Sequence, residues 1–287
     1  MGTCKFCGEK AGFLKSEHHE CRIKYEREEA EKRKKRESAQ EEILKICKEV
    51  AISGKDFDSL ENKILSISKE SFLESPDVRK FLLKGFNSVV EELLKHEDKF
   101  VTKEEEELLA KFKNHFNLSQ EELGEAWIKL VKSSVLRNVI NKEVLSGMKI
   151  TGNLPFNFQK DEIPVWVFIP TKFYQQIHNT HYEGASTGVS VRVAKGVYFR
   201  ASGFRGYPVR TAEMKYLDEG LLAVTNKHIY FSGSSEKFRI PYDKIIEFTP
   251  YEDGIGIQQS KSGAKPQIFV VGDGWFAHNL LSNLAKI

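Results

Sequence analysis

The chain has 287 residues, 40% of them hydrophobic, and a formal net charge of +3 from 44 basic and 41 acidic side chains. That length accommodates two or three folded units with ordinary cores, and the near-balance of charge excludes the dense basic stripe of a dedicated nucleic-acid binder. No run approaches the roughly 18 continuous apolar residues of a membrane span, and Met1 is followed by no apolar leader, so a soluble, cytoplasmic protein is expected.

The first element is chemical. Cys4-x2-Cys7 is followed after ten residues by His18-x2-Cys21. Three thiols and an imidazole are the donors a closed tetrahedral zinc site requires. Gly8, directly after the second cysteine, suits the tight turn of a zinc knuckle. His18 and Cys21, three residues apart, share a face of a helix start; His19 could replace His18 as the ligand. The order of knuckle, short hairpin and helix start over residues 1–22 resembles a small treble-clef-like zinc finger. With four protein ligands such a Zn(2+) would be structural. Only Cys47 is left over among four cysteines, which argues for a reducing compartment and against a disulfide framework.

Residues 23–54 carry dense charge of both signs without Pro and, before Gly54, without Gly, the composition of a solvated linker helix with i,i+4 ion pairs. An apolar stripe enters only in its second half, through Ile43, Leu44, Ile46, Cys47 and Val50. The run Lys32-Arg33-Lys34-Lys35-Arg36 could meet phosphates. Glu26, Glu28, Glu29, Glu31 and Glu37 surround it, so a solvated face is the preferred reading.

Residues 55–146 read as a helical domain. Phe57, Leu60, Ile64, Leu65 and Ile67 recur at helical spacing, as do Val78, Phe81, Leu82, Phe86, Val89, Val90 and Leu93. Pro76 fits the first turn of a helix starting near Ser75. Thr102-x-x-Glu105 and Ser119-x-x-Glu122 are capping boxes, predicting helices over 102–116 and 119–145 separated by Asn117. The stretch HEDKFVTKEEEELLAKFKNHFNLSQEEL resembles the helix pair of tellurite-resistance TerB-like domains. That resemblance implies an acidic metal-binding cluster, with Glu97, Asp98 and Glu105 the nearest match, although the expected Asp-Gly turn is missing. A capped, solvated helix start is the simpler account of these carboxylates.

Residues 147–163 form a linker punctuated by Gly152 and Pro155, and residues 164–287 turn to β-branched and aromatic patterns. Strands are predicted at 165–169, 189–193, 197–200, 221–225, 228–232, 237–240, 245–250, 254–258 and 267–271, with a helix over 274–286. Turns are expected at Ala194-Lys195-Gly196, Ser232-Gly233-Ser234, Asp253-Gly254 and Lys261-Ser262-Gly263. Val224-Thr225-Asn226-Lys227, Phe231, Ile240-Pro241-Tyr242, Lys244-Ile245 and Asp253-Gly254 resemble bacterial pleckstrin-homology (PH)-like and GRAM-like domains, with His228 where an Arg is common. The resemblance implies a bent β-barrel with a capping helix that binds lipids, peptides or proteins. On this reading Asn226 takes a left-handed turn conformation, and Phe231, Ile245, Trp275 and Phe276 pack in or under the barrel.

Gly184-Ala185-Ser186-Thr187-Gly188 matches G-x-S-x-G, but a strand follows instead of the helix a nucleophile elbow needs, so it reads as a flexible glycine loop. His178-x2-His181 lacks a third donor nearby and reads as two loop histidines. Gly203-Phe204-Arg205-Gly206-Tyr207 could face a ligand, with Arg200, Arg205 and Arg210 available for an anionic group.

The fold class expected is α+β: a zinc finger with a long helix, an all-α middle and a PH-like barrel with its capping helix. No catalytic residue is nominated. The function expected is a non-enzymatic adaptor for protein partners, of the kind used in bacterial stress or phage-related systems. A peripheral binder of anionic lipid, through residues such as Lys227, Arg239 and Lys244, is the alternative. Nucleic-acid binding through the zinc finger and Lys32–Arg36 is the third reading.

Overall fold

The computed structural model describes residues 2–12, 15–54, 57–95, 100–143, 154–194 and 197–287, with backbone alone at 51, 178–194 and 197–212. The fold is mixed α+β and divides into two compact units, Met1–Arg137 and Asn138–Ile287.

In the first unit, β1 (Gly2–Thr3) and β2 (Lys10–Gly12) form a small antiparallel hairpin, and α1 (His19–Ser53) follows. Its 35 residues extend about 52 Å at 1.5 Å per residue. The charged half carries the expected local pairs, Arg22–Glu26 at 3.5 Å and Arg27–Glu31 at 3.4 Å. The apolar half buries Ala39, Ile43 and Cys47 and packs mainly on α3 (Ser75–Leu93). Gly54 ends the helix at φ 64°, returning its N–H to Val50 O at 2.8 Å, a left-handed cap that glycine adopts without strain.

Around α1 and α3 lie α2 (Phe57–Glu70), α4 (Lys103–His115), α5 (Gln120–Leu123) and α6 (Glu125–Ile140). Leu60, Ile64, Phe86, Val90, Leu109, Phe112, Leu123 and Leu130 belong to one continuous core. Both expected capping boxes close: Thr102 Oγ1 accepts from Glu105 N at 3.2 Å, and Ser119 Oγ from Glu122 N at 3.2 Å. A third, Glu74 with Asp77, opens α3. The helix expected over 119–145 is interrupted, because Gly124 sits at φ 53° and ends α5 before α6 begins. Glu122 also receives Arg79 at 2.5 and 2.7 Å, and Arg79 reaches Asn117 O at 3.0 Å. The Arg79 guanidinium, helped by Ser119, draws the Glu122 carboxyl down to about 2.

Where α1 packs on α3, a Cβ on Gly85 would stand 2.8 Å from Cys47 Cβ. Gly85→Ala should therefore lower the urea midpoint. The overpacking costs about 1–3 kcal/mol, more than the roughly 1 kcal/mol Ala gains in helix propensity. An unchanged or raised midpoint would contradict this packing.

The second unit is a seven-stranded antiparallel sheet ordered β6-β5-β4-β3-β9-β8-β7. Its strands are β3 (Pro164–Ala194), β4 (Val197–Thr225), β5 (His228–Gly233), β6 (Lys237–Pro241), β7 (Ile245–Pro250), β8 (Gly254–Gln259) and β9 (Gln267–Val270), and α7 (Gly274–Leu284) closes the unit. A 3-10 turn, Tyr242–Lys244, joins the two edge strands β6 and β7 in sequence. The sheet is not closed into a hydrogen-bonded barrel; β6 and β7 remain its edges. Phe173, Phe231 and Phe269 are buried at its centre, with Phe173 stacked on Phe269 at 5.1 Å. Phe276 of α7 meets Trp166 at 4.9 Å and Phe168 at 5.8 Å. Trp275, expected beneath the sheet, is instead 44% exposed, because one residue along a helix turns the side chain about 100° from Phe276.

The largest departure from the sequence reading is the hairpin of β3 and β4. Four short strands were expected where two strands of 31 and 29 residues pair with each other, in unbroken register from Tyr174 to Arg192 and with shifts toward both ends. The stretches Gly184–Gly188 and Gly203–Tyr207, read as loops, are strand. They face one another, with Gly184 opposite Gly206 and Thr187 opposite Gly203. Only Gly184 and Gly206 form a glycine pair, Gly188 facing Ser202; glycine weakens a strand interior without necessarily ending it. His178 and His181 likewise lie in β3, opposite Ala212 and Val209. Of the expected turn at 194–196, Lys195 and Gly196 lie outside the described residues.

Candidate metal centre and anchoring network

The N-terminal hairpin and the start of α1 bring Cys4, Cys7, His18 and Cys21 together, with one donor atom of each within 4.8 Å of all the others. His18 Nδ1 lies 3.4 Å from Cys7 Sγ and 3.8 Å from Cys21 Sγ. A tetrahedron with 2.3 Å metal–sulfur bonds has edges of about 3.8 Å, so the four donors fit one ion. None of the thiols is in a disulfide. Local backbone builds the cage. Gly8, at φ 77°, turns the knuckle and donates to Cys4 O at 2.9 Å, while Cys4 N donates to Glu9 O at 2.7 Å. His18 is the N-cap of α1 and its amide points at Cys4 Sγ, 3.4 Å away.

Which histidine serves is decided by orientation. His18 Nε2 lies 3.1 Å from Lys10 O, leaving Nδ1 aimed into the cluster, the second-shell bond that typically fixes a ligating imidazole. His19 instead points its Nδ1 at Arg22. Burial opposes the Cys4 thiolate, but backbone N–H donors from His18, Cys7 and Phe6 outweigh it and leave its pKa at about 6. Burial and the neighbouring Cys7 and Cys4 push Cys21 up to about 11.

The basic run Lys32–Arg36 lies along α1. Lys32 pairs with Glu29 at 2.9 Å, Lys35 Nζ sits 5.9 Å from the Phe72 ring, and Arg36 donates to Phe72 O at 3.2 Å; Arg33 and Lys34 are on the same helix. Glu105 is held in its capping box, and Glu97 and Asp98 lie outside the described residues.

In the second unit Arg200, Arg205 and Arg210 occupy β4 opposite Ser190, Ala185 and Thr180. Lys227, in the β4–β5 turn, donates to Lys160 O at 3.3 Å. Arg239 is in β6 opposite Tyr230, and Lys244 pairs with Asp243 at 3.2 Å. These six cations do not converge on one point of the register.

The residue that organises this unit is one the motif reading missed. Glu162, in the segment before β3, has a fully buried side chain. It accepts from the Thr225 hydroxyl, from Gln159 N at 2.7 Å and from the Tyr230 hydroxyl at 2.8 Å, and lies 3.0 Å from His228 Nδ1. Burial alone would raise its pKa, but the Thr225, Gln159, Tyr230 and His228 donors together hold it below the usual carboxylate range. Thr225 Oγ1 also accepts the amides of Lys227 and His228 at 3.1 and 2.9 Å. Asn226 is not among the residues at positive φ. It secures Ile163 instead, through Oδ1 at 2.8 Å and its own amide at 3.1 Å. Residues 154–163 thus form a strap clipped onto the β4–β5 turn, with Phe156 and Phe158 packed 5.6 and 5.3 Å from Tyr230. The signal in sequence was slight: a single Glu ahead of an apolar strand, with His in place of Arg 66 residues later.

Asp218 is a second buried carboxylate. It accepts from the backbone of Glu236 and Ser235 at 2.8 and 2.7 Å and from Ser234 Oγ at 2.8 Å, tying down the β5–β6 turn. The Glu236 and Ser235 amides hold its carboxyl far below the usual range.

Among the described residues, no helix is long and apolar enough to cross a membrane. Comparison with protein-family models, with curated proteins and with solved structures returned no match.

Proposed function

We propose that this chain is a non-enzymatic interaction protein, an adaptor that binds other proteins through rigid modules. The observation that carries the reading is the β3–β4 ribbon. Past Gln176 on β3 and before Gly220 on β4, the strands pair only with each other among the described residues. The outer edge of β3 then runs for about 60 Å and that of β4 for about 75 Å, at roughly 3.3 Å per residue. Unpaired strand edges are templates for an extended segment of another chain, which gains backbone hydrogen bonds by joining the ribbon.

The surrounding modules suit such a role. A four-strand meander, a three-strand meander and a closing helix follow the order of a PH-like domain, which supports reading residues 164–287 as a PH-like binding unit. Three thiols and an imidazole at tetrahedral spacing favour Zn(2+) as a structural ion. The capped helices of the first unit are consistent with a TerB-like helix pair. A cytoplasmic place in a bacterial stress or phage-related system rests on fold analogy.

Protein is preferred over lipid because Lys227 and Lys244 are engaged with Lys160 O and Asp243. It is preferred over nucleic acid because Lys32 and Arg36 are held by Glu29 and Phe72 O.

The test is capture from native lysate with the full chain and with a variant whose residues 178–212 are replaced by a short turn. A stoichiometric protein partner retained by the full chain and lost from the shortened one is expected, with the thermal unfolding of the second unit unchanged. Identical captures by both chains, or none by either, would overturn the reading.

A further inference from the structure

Between the strap and the β5–β6 edge of the sheet lies a cleft of about 280 Å³, close to the lower limit of small-molecule sites. Lys237 and Arg239 alternate on β6 and therefore share one face of it. The register sets them opposite Ser232 and Tyr230. Both cations are exposed, and no residue lining the cleft is acidic. Arg239 adjoins the Tyr230 hydroxyl, which itself donates to Glu162, so the guanidinium has a fixed neighbour at the cleft wall. Glu162 lies behind Tyr230, fully buried and occupied by four donors. The opposite wall comes from the strap, through Asn157 and the ring of Phe156.

Two cations without a lining anion match a doubly charged group better than a single carboxylate, and Arg binds phosphate oxygens bidentately while Lys acts as a point charge. Ser232 and Asn157 add neutral hydrogen-bonding groups, and the aromatic rings add a flat apolar surface. We propose that this cleft binds a phosphate monoester whose carrier also holds an aromatic ring, attached to the phosphate directly or through a sugar. The same chemistry is offered by a free nucleoside monophosphate and by a phosphotyrosine in a partner. The site stands independently of strand addition at the ribbon, since it lies on β5, β6 and the strap.

The test is isothermal titration of the full chain with AMP, with a phosphotyrosine peptide and with inorganic phosphate, at fixed ionic strength. Saturable binding of AMP or the peptide, at least tenfold tighter than inorganic phosphate, is expected. Preference between those two ligands identifies the source. Lys237→Gln with Arg239→Gln should weaken binding at least tenfold while leaving thermal unfolding unchanged, because both side chains are exposed. No saturable binding of either AMP or the phosphotyrosine peptide, or equal binding by the variant, would overturn the assignment.

Discussion

Cys21→Ser is expected to reduce bound metal from one equivalent per chain to none and to free the N-terminal hairpin. The hairpin has little else to hold it: β1 and β2 are two and three residues long, and outside the cluster the main anchor is Phe6 against Tyr25 at 4.8 Å. Structural zinc sites supply roughly 10–16 kcal/mol of apparent binding energy in small fingers, far more than one aromatic contact. Residues 2–18 should therefore become protease-sensitive in the variant, while the helical core around Phe86 and Phe112 keeps its unfolding transition. Elemental analysis with limited proteolysis reads both effects, and a variant that still retains one equivalent would refute the ligand set. Affinity should rise with pH, since metal competes with protons for sulfur. Cys4, at about 6, is largely thiolate near neutrality, whereas Cys21, at about 11, must give up a proton. At least one proton should accordingly be released per ion bound at pH 7.

Removing the carboxylate under the strap should have the largest effect on the second unit. Glu162→Ala leaves the Tyr230 hydroxyl, the Thr225 hydroxyl and His228 Nδ1 without their shared acceptor. Each buried group left without a hydrogen-bond partner costs about 1–3 kcal/mol, and for a unit of this size the summed loss lowers the Tm by roughly 10 °C or more. A Tm within 2–3 °C of the parent, about 1 kcal/mol on the same scale, would show that the network contributes little. The acid limb provides a separate check. The Glu162 carboxyl titrates below its ordinary 4.5 in the folded chain, so folding favours the carboxylate. Its stabilisation is complete above about pH 5.5 and is lost as pH falls through the ordinary value toward the lowered one. Glu162→Gln should flatten that limb selectively, with Asp218 and Glu122 still titrating; a limb as steep as the parent's would assign the acid transition elsewhere.

Local signals in the chain were sufficient where structure is local. The Cys4-x2-Cys7 and His18-x2-Cys21 spacings placed the metal cluster, because a knuckle and a helix start are set by a few neighbouring residues. Thr102 with Glu105 and Ser119 with Glu122 placed two helix starts for the same reason. The strands from β5 to β9 were legible to within a residue or two, since turn residues and period-two patterns bracket them. The sequence reading failed where a neighbour in space overrides the local signal. Gly184, Gly188, Gly203 and Gly206 mark loops in isolation, yet they lie in two long strands because the pairing of β3 with β4 carries through them. Gly124 broke a helix that its apolar periodicity continued.

By itself, then, the sequence determined the α+β class, the succession of finger, helices and sheet, and three candidate metal-binding thiols with a histidine beside them, all encoded in spacings of a few residues. Only the tertiary structure decided that His18 rather than His19 faces the cluster, since that rests on the Lys10 carbonyl. It alone joined Glu162 to His228 across 66 residues and set Lys237 and Arg239 beside the strap. Burial and long-range hydrogen bonds choose those neighbours, and no short window of sequence contains both partners.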